Sequence, residues 1–253
     1  MNSFLKSFLI ISVLFVSSTG CNNKVDDKKT ATSDTAETIT PAKPSTFVGE
    51  KTTIAKNEPT DFIPEGYIMF EKINGDLNND GAEDCVLIIK GTNKNKIITD
   101  EYRGRLDQNR RGIIVLFNNN GSYELATKNF DCFSSENEDG GVYFAPELSL
   151  DIKRGNLYIN YGHGRYGAWK YTFKYQNGDF KLIGYDFFEG APVVESETSI
   201  NFLTKKKQVK VNVNESAEGG DEIYEENWST IRIGQLISLD GVRDFDVLDM
   251  NRY

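Results

Sequence analysis

Residues 75–84 read Gly-Asp-Leu-Asn-Asn-Asp-Gly-Ala-Glu-Asp, the densest group of oxygen donors in the chain. Asp76, Asn78 and Asp80 alternate, Gly81 permits a sharp reversal, and Asp84 closes the set. A hard cation such as calcium takes six to eight oxygens, so this spacing of carboxylates and amide around a glycine has a physical reason. The Ala82 carbonyl is the natural extra ligand. The bland alternative is a turn that never sees metal, because Asn, Asp and Gly are turn formers in their own right. Bound calcium would be structural, pinning the loop and neutralising its carboxylates.

Two weaker groups follow. Tyr161-Gly-His-Gly-Arg-Tyr-Gly167 gathers His163, Arg165 and Tyr166, with Trp169 just beyond, and suits either a ligand surface or an ordinary connection. No Ser or Cys nucleophile can be assigned beside His163. Cys85 and Cys132 are the two thiols left once Cys21 is set aside; in an oxidising envelope they could form a disulfide, and the equal alternative is that Cys85 is a small buried residue of an apolar strand. The acidic runs at Glu136–Asp139 and Asp221–Glu226 could hold further cations or simply face solvent, and Arg103, Arg105, Arg110 and Arg111 form the one basic cluster.

Composition removes whole classes. The chain of 253 residues carries 29 Lys and Arg against 38 Asp and Glu, a net charge of −9. That balance argues against nucleic acid as a partner, since phosphate binding needs a basic footprint. One His and three Cys exclude His-based zinc sites and a framework of several disulfides.

The elements that must position these residues are strands. From Asp61 onward, short alternating runs are split by turn signals, which predicts an all-β domain with minor α content. Residues 67–73 and 85–89 flank the acidic loop. Runs 113–117 and 123–127 flank Asn118-Asn119-Asn120-Gly121; 148–153 and 157–161 flank Arg154-Gly155-Asn156; 169–175 and 180–185 flank Gln176-Asn177-Gly178-Asp179; 199–203 and 209–213 flank a Thr-Lys-Lys-Lys turn. Successive hairpins imply an antiparallel meander, packed as a sandwich, barrel or propeller-like sheet set. Trp169, Tyr171, Phe173 and Tyr175 alternate with polar residues, so one face of that strand is aromatic: a core face, or an exposed platform for a glycan or peptide. Helical periodicity is weak throughout, with residues 227–239 the one candidate stretch.

The N-terminal residues read as an address. Lys6, an apolar run from Phe8 to Val16 and small residues after it predict a secretory signal, the run being shorter than the ~20 residues of a membrane-spanning helix. Ser18-Thr19-Gly20-Cys21 resembles the lipobox of bacterial lipoproteins, with Ser18 where Leu is usual. The resemblance implies that Cys21 is lipidated and becomes the first mature residue, more than one acyl chain giving stable anchoring; an ordinary secreted protein is the alternative. Residues 22–60, with six Lys, six acidic residues, nine Thr and one aromatic, read as a disordered tether. Lys24 and Asp26-Asp27 resemble surface-export signals of Bacteroidota lipoproteins, with a random polar linker as the competing reading, and Asn22 leans toward the outer membrane. The domain expectation is therefore signal 1–20, lipidated Cys and tether 21–60, and a β-rich domain 61–253 carrying about −10 of the charge.

The acidic loop is not an EF-hand, because Leu87 stands where the closing Glu would be. It resembles the strand-loop-strand calcium loops of VCBS and FG-GAP repeats. Stretches 75–89, 121–132, 164–186 and 200–207 together resemble a group of bacterial secreted or lipid-anchored proteins of that type. The resemblance implies a β fold, a calcium cofactor and an envelope location. The expected function is a lipid-anchored cell-envelope protein, membrane-held, with a calcium-stabilised β domain that binds or scaffolds an unidentified protein or glycan and is not an enzyme. The rivals are a carboxylate-based, glycosidase-like hydrolase, which needs two carboxyls roughly 5–9 Å apart in a cleft, and an inhibitor or immunity-type protein capping a basic enzyme.

Overall fold

A computed structural model describes residues 55–137 and 145–253. The signal, Cys21 and most of the tether lie outside the described residues, as do Glu138 and Asp139 of the first acidic run. The expectation of an all-β fold holds: among the described residues antiparallel strands dominate, no helix reaches seven residues, and the sheets are open rather than closed barrels.

Four strands form one sheet in the order β1 (Tyr67–Gly75), β2 (Asp84–Gly91), β5 (Arg111–Asn119) and β6 (Ser122–Phe133). Between β2 and β5 the chain makes a separate two-stranded ribbon, β3 (Ile97–Asp100) and β4 (Gly104–Asp107). The second sheet is an uninterrupted meander: β7 (Glu147–Lys153), β8 (Asn156–Gly162), β9 (Ala168–Gln176), β10 (Asp179–Glu189), β11 (Ser196–Asn201), β12 (Lys206–Asn212) and β13 (Tyr224–Thr230) pair in chain order. Among the described residues, one sheet of four strands and one of seven leave no repeated blade.

Local chemistry explains the hairpins. Three two-residue turns, Asn120-Gly121, Arg154-Gly155 and Asn177-Gly178, hold both central residues at positive φ, the twist that joins adjacent antiparallel strands without splaying them. Asn and Gly reach that region readily, whereas Arg154 does so against its preference.

β2 and β5 lie in the middle of their sheet and are buried on both faces, which is why their sequences are nearly continuous apolar runs. Val86, Ile88, Ile113 and Val115 face the seven-stranded sheet and join Leu157, Ile159, Tyr171, Phe173, Phe180 and Leu182 in one core. Phe117 of β5 meets Tyr175 edge-on at 4.7 Å, a contact between the sheets. Cys85, Leu87, Ile89, Ile114 and Leu116 point the other way, into a smaller core covered by Phe62, Ile63 and Phe130. The aromatic face of β9 is thus a core face: Tyr171 and Phe173 are buried, and Trp169 and Tyr175 pack against the same cluster. The exposed-platform reading of that face falls.

The helix expected over 227–239 is absent. Residues 224–230 form edge strand β13, and the chain beyond it is irregular apart from a short 3-10 turn at Leu239–Gly241. Ile231, Leu239, Val242, Phe245 and Met250 of this C-terminal segment are buried in the main core. Backbone and side chains tie it to both sheets: Asn129 of β6 donates from Nδ2 to the Leu239 and Val242 carbonyls, each at 2.7 Å, and the Phe245 amide donates to the Cys132 carbonyl at 3.0 Å. On the other sheet, a bulge in β10 between Leu182 and Gly184 accompanies the Leu182 amide donating 2.8 Å to the Ile237 carbonyl.

The described fold also includes residues a little before the expected boundary at Asp61. Lys56 exchanges backbone hydrogen bonds with Tyr123 on the free edge of β6, at 3.0 and 2.7 Å, and Pro59 is buried.

Candidate functional site

The acidic loop joins β1 to β2 and packs beside the β7–β8 turn of the other sheet. Gly155 in that turn has φ +71°, and a Cβ there would collide with the Asn79 carboxamide, so turn and loop are fitted to each other. Within the loop the side chains serve the backbone. Asp76 accepts from the Asn79 amide at 2.6 Å and the Gly81 amide at 3.0 Å; Asn78 accepts from the Asp80 amide at 2.9 Å. Asp80 accepts from the Ala82 amide at 2.8 Å and from Asn78 Nδ2 at 2.8 Å. These are Asx turns, in which a short polar side chain takes the place of a backbone acceptor.

Asp84 differs from its neighbours because it is fully buried. One carboxylate oxygen accepts from the Leu77 amide at 2.8 Å, the other from the Asn118 amide at 2.9 Å, and the Asn78 amide is a third donor. Asn118 returns a bond from Nδ2 to the Glu83 carbonyl at 3.1 Å. Asp84 thereby stitches the loop to the end of β5. Burial pushes its carboxyl above the ordinary carboxylate range; the amide bonds pull the other way, and the nearby charge of Asp80 adds to the rise.

The donor set has the chemistry calcium wants, yet its arrangement is not a finished cage. Among the described residues no three acidic, His or Cys side chains converge as a metal-holding group. Each carboxylate oxygen keeps a lone pair beyond the amide it already serves, so residues 76, 78, 80 and 84 can contribute to a cation only with some regathering of the loop.

The His163 loop lies at the opposite end of β8, roughly 20 Å away for a seven-residue strand. Gly162 ends the strand, and Gly164–Tyr166 form one 3-10 turn. Gly167 closes it at φ +104°, where any Cβ would strike the Phe188 carbonyl, so only glycine fits. The His163 ring lies 5.1 Å from Tyr166, and the Arg165 guanidinium sits 5.2 Å over the Tyr166 ring. Arg165 Nε and Nη2 donate to the Tyr166 hydroxyl at 3.2 and 3.1 Å. Glu147, His163, Arg165 and Tyr166 line a shallow depression of about 440 Å³. Trp169 is not on its wall. It stacks on Tyr161 at 5.3 Å and backs His163 edge-on at 6.4 Å. Three of the four expected surface residues therefore share a depression, and the fourth supports them from the core side.

The disulfide between Cys85 and Cys132 does not form; both thiols are free and buried. Cys85 lies opposite Leu116 and faces the smaller core, whereas Cys132 adjoins Phe133, opposite Arg111, and faces the main core. A disulfide needs Cα atoms within about 7 Å and side chains that converge; here they point into different layers. Burial pushes the Cys85 thiol up to about 11 and raises that of Cys132 as well.

The expected basic cluster is also divided. Arg103 and Arg105 ride on the ribbon, while Arg110 pairs with Asp244 at 3.0 Å and buried Arg111 donates from Nε to the Ser134 carbonyl at 2.8 Å. Glu136 of the first acidic run pairs with Lys90, a buried cation that also meets Asp107 at 3.0 Å. In the second run Asp221 accepts from the Glu218 and Gly219 amides, and Glu222 from those of Val194 and Gly220. Sequence reasoning missed Asn109, which is buried between Asn93 and Asp107; the Asp-x-Asn spacing beside it is the only local signal.

Protein-family models, curated proteins and solved structures give no match to this chain.

Proposed function

We propose that the protein is a lipid-anchored component of a bacterial cell envelope, held at the outer membrane through Cys21, whose calcium-stabilised β domain binds or scaffolds a protein or glycan ligand. One observation carries the reading: a short apolar run ending in Ser18-Thr19-Gly20-Cys21 stands ahead of a polar segment and then a domain with its own core. That order suits an anchor, a spacer and a working module. The VCBS and FG-GAP resemblance of the loop supports the calcium half. So does the proximity of Asp80 to buried Asp84, whose mutual repulsion a dication would remove. The depression at His163, Arg165 and Tyr166 is the candidate ligand surface.

The test is made on the full chain expressed in a bacterium with an outer membrane. The native chain is expected in the detergent phase on phase partition, carrying labelled fatty acid, and Cys21→Ser in the aqueous phase without label. A native chain that stays aqueous and unlabelled overturns the anchor. Calcium titration of Cys21→Ser by calorimetry should give one site. Asp80→Asn, which keeps an acceptor for the Ala82 amide while removing charge, should abolish it; no heat in the parent overturns the calcium half.

A further inference from the structure

We propose that the β3–β4 ribbon is a membrane-contacting element that seats against the anionic headgroups of a bilayer. The existence of a bilayer beside the domain rests on the lipid-anchored reading; the ribbon's affinity for one rests on its own residues.

The ribbon stands out of the body on a fixed base. Residues 92–96, 98–99 and 101–105 are exposed, whereas Leu106 at its root is buried. Below it Asn109 accepts from the Asn93 amide at 2.9 Å, and its Nδ2 donates to the Asn93 carbonyl at 3.0 Å and to Asp107 at 2.7 Å. The Gln108 amide donates 2.8 Å to the Lys96 carbonyl. The projection is therefore hydrogen-bonded at its root on both strands, and its tip is presented in a defined direction.

Its charge runs against that of the chain. Between residues 94 and 105 lie Lys94, Lys96, Arg103 and Arg105 against Asp100 and Glu101, in a protein of net charge −9. One of the two carboxylates is turned to the backbone: Asp100 accepts from the Tyr102 and Arg103 amides at 2.9 and 2.8 Å, bonds that hold it below the ordinary carboxylate range. The four cations outnumber the two carboxylates, and Asp100 also sits in the field of Arg103, leaving the ribbon with an excess of positive charge. At the tip Tyr102 is 90% exposed, an amphipathic ring of the kind that settles at headgroup depth. Ile98 on the ribbon is also exposed. So are Ile68 and Met69 of β1, opposite Lys90 and Ile89, the two residues before Gly91, where β2 ends ahead of the ribbon.

Exposed apolar side chains between cations match a surface that offers phosphate and hydrocarbon together. The acidic remainder of the domain favours the same pose, because an anionic membrane repels it and screening within about 10 Å spares a projection that touches first. Chain length does not forbid it: more than thirty residues separate Cys21 from Lys56, and a chain of that length can span roughly 30 Å.

The experiment uses the full-length Cys21→Ser chain, so that no acyl group contributes, with vesicles of phosphatidylcholine alone or mixed with phosphatidylglycerol. Co-sedimentation is expected only with the mixed vesicles and should fade as salt is raised. Replacing Lys94, Lys96, Arg103 and Arg105 together by Gln should weaken it about tenfold or more, since each cation near an anionic surface contributes separately. Tyr102→Ser should weaken it less. The double variant Lys205→Gln/Lys206→Gln, at the turn after β11 and the first residue of β12, should bind like its parent. All these positions are exposed, so matched thermal melts establish that the fold is kept. No sedimentation with mixed vesicles, equal sedimentation with both kinds, or an unchanged quadruple variant would overturn the proposal. Because the chain tested has no lipid, such failure leaves the anchor to its own detergent-partition result.

Discussion

Lys90 carries its ammonium into the end of β2 and finds Asp107 and Glu136 there, with the Phe70 ring 5.9 Å away. Burial would lower its pKa, but the hydrogen bonds and charges of Glu136 and Asp107 more than reverse this and raise it. Burial likewise would raise Asp107, and the bonds from Asn109 and Lys90 bring it below its ordinary value. The signs set a window. Asp107 contributes stability above its unfolded value near 3.9, lost as pH falls through its lower folded value; Lys90 contributes below about 10.4, lost as pH rises through its higher one. Lys90→Met should cost about 1–3 kcal/mol at neutral pH, a modest figure because the abandoned carboxylates, each 38% exposed, can rehydrate. Urea titration should show that gap narrowing below about pH 4, as Asp107 protonates. A gap independent of pH would mean that lost packing, not charge, is being read. Little of this was legible in the sequence. Asp84 and Lys90 bracket an apolar run, but their partners come from Asn118 and Glu136, so nothing nearby marks either charge as buried.

At the scale of elements, the C-terminal segment has the largest consequence for its size. Phe245 sits among Phe133, stacked at 5.1 Å, and Tyr171, edge-on at 5.1 Å, one ring from each sheet. Phe245→Ala should destabilise the domain by about 3–5 kcal/mol, the range for deleting a buried aromatic, measured by chemical denaturation. A cost within experimental error would mean that the segment is a passenger. The hairpins were readable because their information is local: Asn-Gly pairs determine turn and register together. The segment was misread because Ile231, Leu236, Ile237 and Leu239 fall at spacings a helix shares, while its hydrogen bonds are made with β6 and β10 instead of within itself. The ribbon was missed for a related reason, its strands being four residues each and mostly polar.

At the largest scale, the described residues form two open sheets around a main core, with a second, thinner core behind the smaller sheet and the two-stranded ribbon apart from both. Its two internal thiols report on separate layers. In native Cys21→Ser neither should react with a thiol reagent, both should react in denaturant, and reductant should leave the melting temperature unchanged. A thiol count of zero in denaturant without reductant would instead establish a disulfide. Class and strand order along the meander could be read from periodicity, yet the layering could not, because an apolar run buried on both faces has no alternation to say which residue faces which core. The backbone pair between Lys56 and Tyr123 gives the molecule a mechanical polarity. Any tension arriving from the N-terminal side meets the outermost edge of the smaller sheet, through the two hydrogen bonds of this single pair. The stretch just beyond that pair carries Phe62 and Ile63, which cover the thin core and not the main one, so the cover of the smaller core lies next in line.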